Sequence, residues 1–347
     1  MTRRYSPSKD KKRTNGNVRK ASPEETRANN TVAVETSRRL IDPRPWMEVA
    51  ASELEEMNRG KVGRPFTYCD SMIVWIMLFM GYLNIDYRHA AGTAAGIMDQ
   101  YGLRSPCYST IFTRIRELVS GILLGAPVED SRILSRYVRP CLDERVRDTS
   151  VDSTGLNLTQ TSLWRKSKWG VGPAYKGWLK LHALTDCDTN EILVYALTDE
   201  RVSDAAVFDT LVEMAVSAGY RIGTIRADAA YGTTAAFRHC AEHGIEFNPK
   251  FKSNTRPTCN GSAERGRAAR LWARLPYDLW LEATGYGRRW KIESAFSDFK
   301  RLISEYISAK SDSGMSVQVA VMVKAYDIHK EVRNEILQVT GNGVVIA

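Results

Sequence analysis

A chain of 347 residues is long enough for two or three domains and at least one full-sized core. Its 43% apolar and 26% charged residues are ordinary for a soluble protein, and its six scattered cysteines (69, 107, 141, 187, 240, 259), with no C-x-x-C pair, exclude a paired-cysteine zinc module and a secreted disulfide framework. Lys and Arg outnumber Asp and Glu by 49 to 40, and the resulting charge of +9 favours a polyanionic partner over an acidic small molecule.

Residues 1–30 are polar and basic ("RRYSPSKDKKR", "NGNVRK") and predict a flexible arm able to track phosphates or simply to stay solvated. They hold no apolar core of signal-peptide length. Residues 31–145 predict a helical domain. Its segments are 44–59, the apolar run 70–83, 86–100, and 109–124, the last opening on Ser109 or Thr110 as N-cap. "SMIVWIMLFMGYL" (71–83) is too short to span a bilayer, so a buried helix is expected, no membrane, and a cytoplasmic, nucleoid-associated protein with reduced thiols. Short helices, tight turns and Arg114 and Arg116 early in the last helix fit a helix-turn-helix unit reading a major groove, although many three-helix units never touch DNA. Arg64 in "GRP" can place an arginine in an AT-rich minor groove.

From about 148 the periodicity becomes that of strands: 149–155, then 178–187 and 191–198 joined by the turn "CDTN". A helix (204–219), a strand (221–228), a helix (232–243) and a strand (245–249) follow. An insertion (about 250–285), a strong helix (287–305) and a C-terminal helical tail (311–347) complete the chain. Three antiparallel strands extended by βαβ crossovers predict an α/β fold of ribonuclease-H-like arrangement over 146–310, with helices on both faces of a mixed sheet.

Three carboxylates stand out. Asp152 lies among β-formers in "SVDST", where burying it unpaired is costly, or it caps the turn at Ser153. Asp228 ends the fourth strand in "IRADAAYG", where open α/β sheets place ligands, or it closes an Asx-turn or caps the next helix. Glu293 lies on the last helix, in "RRWKIESAFSDFK", where a lone Glu is usually solvated. In the expected topology the first and fourth strands are neighbours and the last helix crosses them. Acidic groups meeting there repel unless cations hold them, and hard oxygen ligands suit two Mg²⁺ or Mn²⁺ ions, which clamp the attacking and leaving oxygens of an in-line displacement at phosphorus. Tyr286, Arg289, Glu293 and Lys300 fall as Y-x2-R-x3-E-x6-K, putting basic groups beside the acidic one at helical spacing. Such bracketing suits an anion coming to a metal, or an ordinary i, i+4 ion pair.

This pattern resembles the Tyr-Arg-Glu-Lys signature of DDE transposases of bacterial and archaeal insertion sequences. The resemblance extends to "VDST", to "KLH" (Lys180, Leu181, His182) and to "ADAAYG", in family order over about 60–310. It implies that Asp152, Asp228 and Glu293 are the catalytic, metal-binding triad, and that Tyr286, Arg289 and Lys300 contact DNA-end phosphates. The gap between the second Asp and the Glu is short and more helical than in many members, which implies a compact subgroup. Trp280 or Trp290 can stack on a displaced base or sit in a core. His182 is expected to pack beside the sheet. Lys180, and Arg165, Lys166, Lys168 and Lys176 of a basic, aromatic loop, are further candidates for phosphate contact. The expected activity is cleavage and strand transfer on double-stranded DNA by a homodimer assembled there. Another ribonuclease-H-like nuclease, or a transposase-derived DNA-binding protein without catalysis, are the alternatives.

Overall fold

The computed structural model describes residues 22–122, 133–159 and 178–339. Six helices come first: α1 (Pro23–Ile41), α2 (Arg44–Met47), α3 (Ala50–Asn58), α4 (Asp70–Leu83), α5 (Tyr87–Asp99) and α6 (Tyr108–Ile122). A strand, β1 (Ile133–Val138), precedes the three expected ones, β2 (Val146–Leu158), β3 (Leu179–Asp186) and β4 (Ile192–Asp199). Then come α7 (Ala205–Ser217), β5 (Arg221–Ala227), α8 (Thr234–Glu242) and β6 (Glu246–Pro249). The insertion forms α9 (Ala263–Arg274) and α10 (Tyr277–Thr284). A 3-10 turn (Tyr286–Arg289), α11 (Trp290–Leu302), β7 (Tyr306–Ile307) and α12 (Asp312–Val339) follow.

The strands form one mixed sheet in the order β1-β4-β3-β2-β5-β6, with β7 on the end of β2. The β2-β3-β4 ladders are antiparallel and β5 and β6 are parallel to β2. This is the expected mixed α/β order and is consistent with a ribonuclease-H-like core. Alternation along the strands gives the sheet two apolar faces. Leu156, Leu181, Ala183 and Leu197 point to one, which α4, α5, α6, α11 and α12 cover. Val151, Leu184, Ala196, Ile225 and Ala227 point to the other, under α7, α8, α9 and α10.

Several expectations need correction. The segment 23–30, read as part of a flexible arm, is helical, and α1 packs Val32, Thr36 and Leu40 inward at helical spacing. Residues 133–138, read as part of a helical region, form an antiparallel edge strand on β4, with Tyr137 stacked on Tyr195. The helix expected from 287 begins as a 3-10 turn, and α6 starts at Tyr108, just ahead of the expected caps. The C-terminal segment is a long helix that packs against α4, α1 and the sheet, burying Met315, Val319, Met322, Val323 and Tyr326. Gly81 of α4 permits this close crossing, because a Cβ there would overlap that of Ala325. No described helix is long and apolar enough to cross a membrane, and all six cysteines are free thiols.

Candidate active site

Register brings the first two carboxylates together. Ser150 of β2 pairs with Arg226 of the parallel β5, so two residues further on Asp152 and Asp228 stand side by side. The same alternation turns both toward the face covered by α11. Asp228 lies just past the end of β5, and its Oδ1 accepts a 2.7 Å hydrogen bond from Ala230 N, so it closes the Asx-turn as well. Asp152 Oδ1 accepts from Ser153 N at 2.8 Å.

The third carboxylate arrives through Arg289. Gly285, at φ +57°, ends α10 and lets the chain turn under the sheet edge, where an added Cβ would lie 2.7 Å from Arg226 Nη2. The 3-10 turn then delivers Arg289 to the site. Its Nη2 lies 3.0 Å from Asp152 Oδ2 and its Nη1 pairs with Glu293 Oε1, one turn along α11. One guanidinium thus ties the strand carboxylate to the helix carboxylate. Its Nε is buried without a hydrogen-bond partner. The ligand oxygens of Asp152, Asp228 and Glu293 do not all lie within 4.8 Å of one another, and Arg289 pairs with the first and the last of them.

Burial pushes the Asp152 carboxyl up to about 6. Its hydrogen bond from Ser153 N and the Arg289 charge work against the rise, and Asp228 and Asp204 add to it. Desolvated carboxylates with acidic neighbours call for positive charge. Arg289 supplies it here, and its N–H groups stand where a hard divalent cation would satisfy the same oxygens. The donor set of carboxylate oxygens alone fits Mg²⁺ or Mn²⁺.

The other sequence candidates distribute differently. Tyr286 is buried against Trp280, at 4.8 Å between ring centroids, and anchors the 3-10 turn rather than meeting solvent. Trp280 is a core residue, whereas Trp290 is exposed, with Lys291 over its ring. Lys300 is half-buried on α11, two turns beyond Glu293. Lys180 emerges on the opposite face of the sheet, where it pairs with Asp204 at 2.8 Å and donates to Val202 O at 3.1 Å. His182 packs beside it, fully buried, with Nε2 2.9 Å from Thr198 Oγ1, and burial pushes its pKa down to about 4. Arg114, read as a groove-reading residue, is instead buried. It pairs with Asp70, donates to Tyr68 O and stacks on Phe66, so a partner 44 residues away in the chain consumes its charge. Arg116 is partly buried over Phe112 and 3.5 Å from Ser313, and Arg64 is exposed. Arg165, Lys166, Lys168 and Lys176 lie outside the described residues.

Three features escaped the sequence reading. Asp204, at the start of α7, accepts from Ser153 Oγ at 2.8 Å and gathers Lys180 and His182 directly behind Asp152. Asp148 bridges Arg226 and Arg288 and so ties the 3-10 turn to β2 and β5. A groove between residues 253–257 and α9 is lined by Arg256, Arg267, Arg270 and Arg274. An arginine and an aspartate inside apolar strand segments, "TIRAD" and "RDTSV", were the available signal for the second, since buried charges come paired.

The sequence profile of the family described as "Transposase DDE domain" matches residues 146–328, more than half the chain and all of the site. Among solved structures, the chain is similar to one in a cryo-electron microscopy structure of the simian T-cell lymphotropic virus intasome in complex with the PP2A regulatory subunit B56 gamma. The identity is 13%, with 62% of this chain and 68% of that chain covered, and the TM-score of 0.22 is too low to carry weight.

Proposed function

Because the chain belongs to the transposase DDE domain family, we propose that it cuts DNA at the ends of its own mobile element and joins the freed ends to new DNA, with Asp152, Asp228 and Glu293 as its catalytic carboxylates. The observation that carries this reading is the single guanidinium of Arg289, held between Asp152 and Glu293 beside Asp228.

When bound by these acids, two Mg²⁺ or Mn²⁺ ions would activate water and stabilise charge developing at phosphorus. In the first step the water oxygen forms a bond to phosphorus as the bond to the element's 3′ oxygen breaks, leaving a 5′ phosphate and a 3′ hydroxyl. In the second, that hydroxyl oxygen forms a bond to a target phosphorus and the target's own P–O3′ bond breaks. Each step makes one P–O bond and breaks one, and the attacking hydroxyl's proton goes to solvent. Arg289, displaced from the acids, would turn its fork to the scissile phosphate, and Lys300 would meet a neighbouring phosphate as a point charge. Tyr286 would hold the turn that aims Arg289. The groove of Arg256, Arg267, Arg270 and Arg274 is a surface suited to the DNA backbone.

In the same reading, helices α1 to α6 with Arg116 and Arg64 grip the element end as a helix-turn-helix-like unit, β1 and residues 146–310 form the catalytic domain, and Arg165, Lys166, Lys168 and Lys176 add backbone contacts. Two copies hold two ends as a dimer on DNA. The protein is that of a bacterial or archaeal insertion sequence of a compact Tyr-Arg-Glu-Lys subgroup, acting in the cytoplasm.

The test uses the full chain, Mg²⁺ and DNA carrying the element end. Asp152→Ala, Asp228→Ala and Glu293→Gln should each reduce cleavage by more than about 100-fold, beyond the loss typical of residues that only orient a ligand, while end binding persists. Near-normal cleavage by any one of them removes that residue from the triad. Cleavage by the unaltered protein without joining would mark a nuclease, and specific binding without cleavage a DNA-binding derivative.

A further inference from the structure

Away from the carboxylates of β2, β5 and α11, the outer helical layer carries a second group of ligand-type side chains. His239, in the last turn of α8, and His243, its C-cap, are four residues apart, so their rings share one face, 5.0 Å between centroids and at 78° to each other. Glu213 reaches across from α7. Its Oε1 lies 3.0 Å from His243 Nε2 and 3.4 Å from His239 Nε2, and one ligand atom from each residue lies within 4.8 Å of the others.

We propose that Glu213, His239 and His243 form a binding site for a borderline divalent transition ion of the Zn²⁺ type, clipping α7 to α8. The distances favour it. Zn–N and Zn–O bonds of about 2.0–2.1 Å at tetrahedral angles put neighbouring ligand atoms about 3.3 Å apart, and the two nitrogen-to-oxygen separations bracket that value.

Hydrogen bonding alone leaves the group incomplete. Both Nε2 atoms converge on one carboxylate oxygen, and only His243 forms a hydrogen bond with it. His239 Nε2 is buried without a hydrogen-bond partner. A cation between the three would take the lone pairs of both nitrogens and the carboxylate charge together. On the far side of its ring, His239 Nδ1 lies 3.9 Å from Glu242 Oε2, an ion-pair distance rather than a hydrogen bond.

Two imidazoles and one carboxylate suit Zn²⁺, with Ni²⁺ and Cu²⁺ as chemical relatives, and they suit Mg²⁺ poorly, since it demands six oxygens. Three protein ligands leave a fourth position for water. The helices concerned back the candidate active site, α7 starting from Asp204 and α8 following the Asp228 turn. A bound ion would therefore stiffen the layer behind the acids without entering the reaction.

The experiment is Zn²⁺ titration of the full chain against a chromophoric chelator, with millimolar Mg²⁺ present throughout. One Zn²⁺ per chain is expected. His243→Ala and Glu213→Gln should each weaken it by about 10-fold or more, while Asp228→Asn leaves it unchanged. Co²⁺ bound in its place should show the strong visible absorption of a four-coordinate ion, lost in His239→Ala. Circular dichroism of the variants, all changed at positions at least partly exposed, checks that folding is retained. The proposal is overturned if no stoichiometric Zn²⁺ binds. It is equally overturned if binding survives both His243→Ala and Glu213→Gln, which would place the ion on cysteines such as Cys107 or Cys259, or if Asp228→Asn abolishes it.

Discussion

Replacing Arg289 by alanine removes the one guanidinium that touches both Asp152 and Glu293. Arg289 and Asp152 are 15% and 20% exposed, so their pair lies in a poorly solvated setting, whereas Glu293, at 50%, is well hydrated and adds little. Stripping one partner from a fully buried pair costs about 3–5 kcal/mol, and partial exposure brings the expected loss here to about 2 kcal/mol. At about 2 °C per kcal/mol for a chain of this size, melting in chelator should fall by about 4 °C. The acids left behind, Asp152 beside Asp228 and Asp204, would still demand a cation. Millimolar Mg²⁺ should therefore raise the melting temperature of Arg289→Ala more than that of the unaltered protein, in which the ion must first displace the arginine. DNA cleavage should still fall, because the fork that meets the phosphate is gone. Thermal melts of both proteins, with chelator and with Mg²⁺, give the comparison. Equal or smaller Mg²⁺ stabilisation of the variant would refute the idea that arginine and metal compete for the same oxygens.

Two further outcomes concern stability. Burial pushes Asp327 of α12 up to about 7 from an ordinary 3.8, its Oδ1 accepting from Ile192 N at 3.0 Å and its Oδ2 unpartnered. A carboxyl whose folded pKa is raised stabilises fully below about pH 4, and that contribution is lost as pH rises through about 7, at most about 4 kcal/mol in all. Asp327→Asn should flatten this fall in urea titrations between pH 5 and 8, and an unchanged slope would refute the assignment. Gly285→Ala places a methyl group against Arg226 at a positive φ, and should cost about 1–2 kcal/mol in the same assay. It should also slow cleavage by shifting the turn that carries Arg289, and a neutral result would mean that the turn relaxes freely.

What the sequence made legible followed from short-range pattern. The alternation of 149–155 and the turn-flanked apolar runs 178–187 and 191–198 marked the three central strands, and the apolar run 70–83 and the amphipathic spacing of 204–219 marked helices on each face. Because strand register follows from those patterns, the neighbouring of Asp152 and Asp228 was readable too. Charges were not. Arg114 looks like a groove-reading residue until Asp70, 44 residues earlier, is seen to hold it, and Lys180 is claimed by Asp204 through a fold-back of the sheet. The edge strand β1 depends on pairing with β4, more than 50 residues away, and α1 shows only Val32, Thr36 and Leu40 as an inward stripe in a polar segment. Long-range partners decided each of these, and local periodicity holds no record of them.

The position of α12 has a bearing on biogenesis. Met315, Val319, Met322 and Tyr326 plug the space between α4 and the sheet, so the apolar residues of α4, translated more than 200 residues earlier, lack their main cover until this helix emerges from the ribosome. The side of α4 that faces α12 thus waits uncovered and prone to aggregate through most of synthesis. Premature termination anywhere before residue 320 or so would release a chain whose α4 lacks this cover, even where α11 and its Glu293 have already been made.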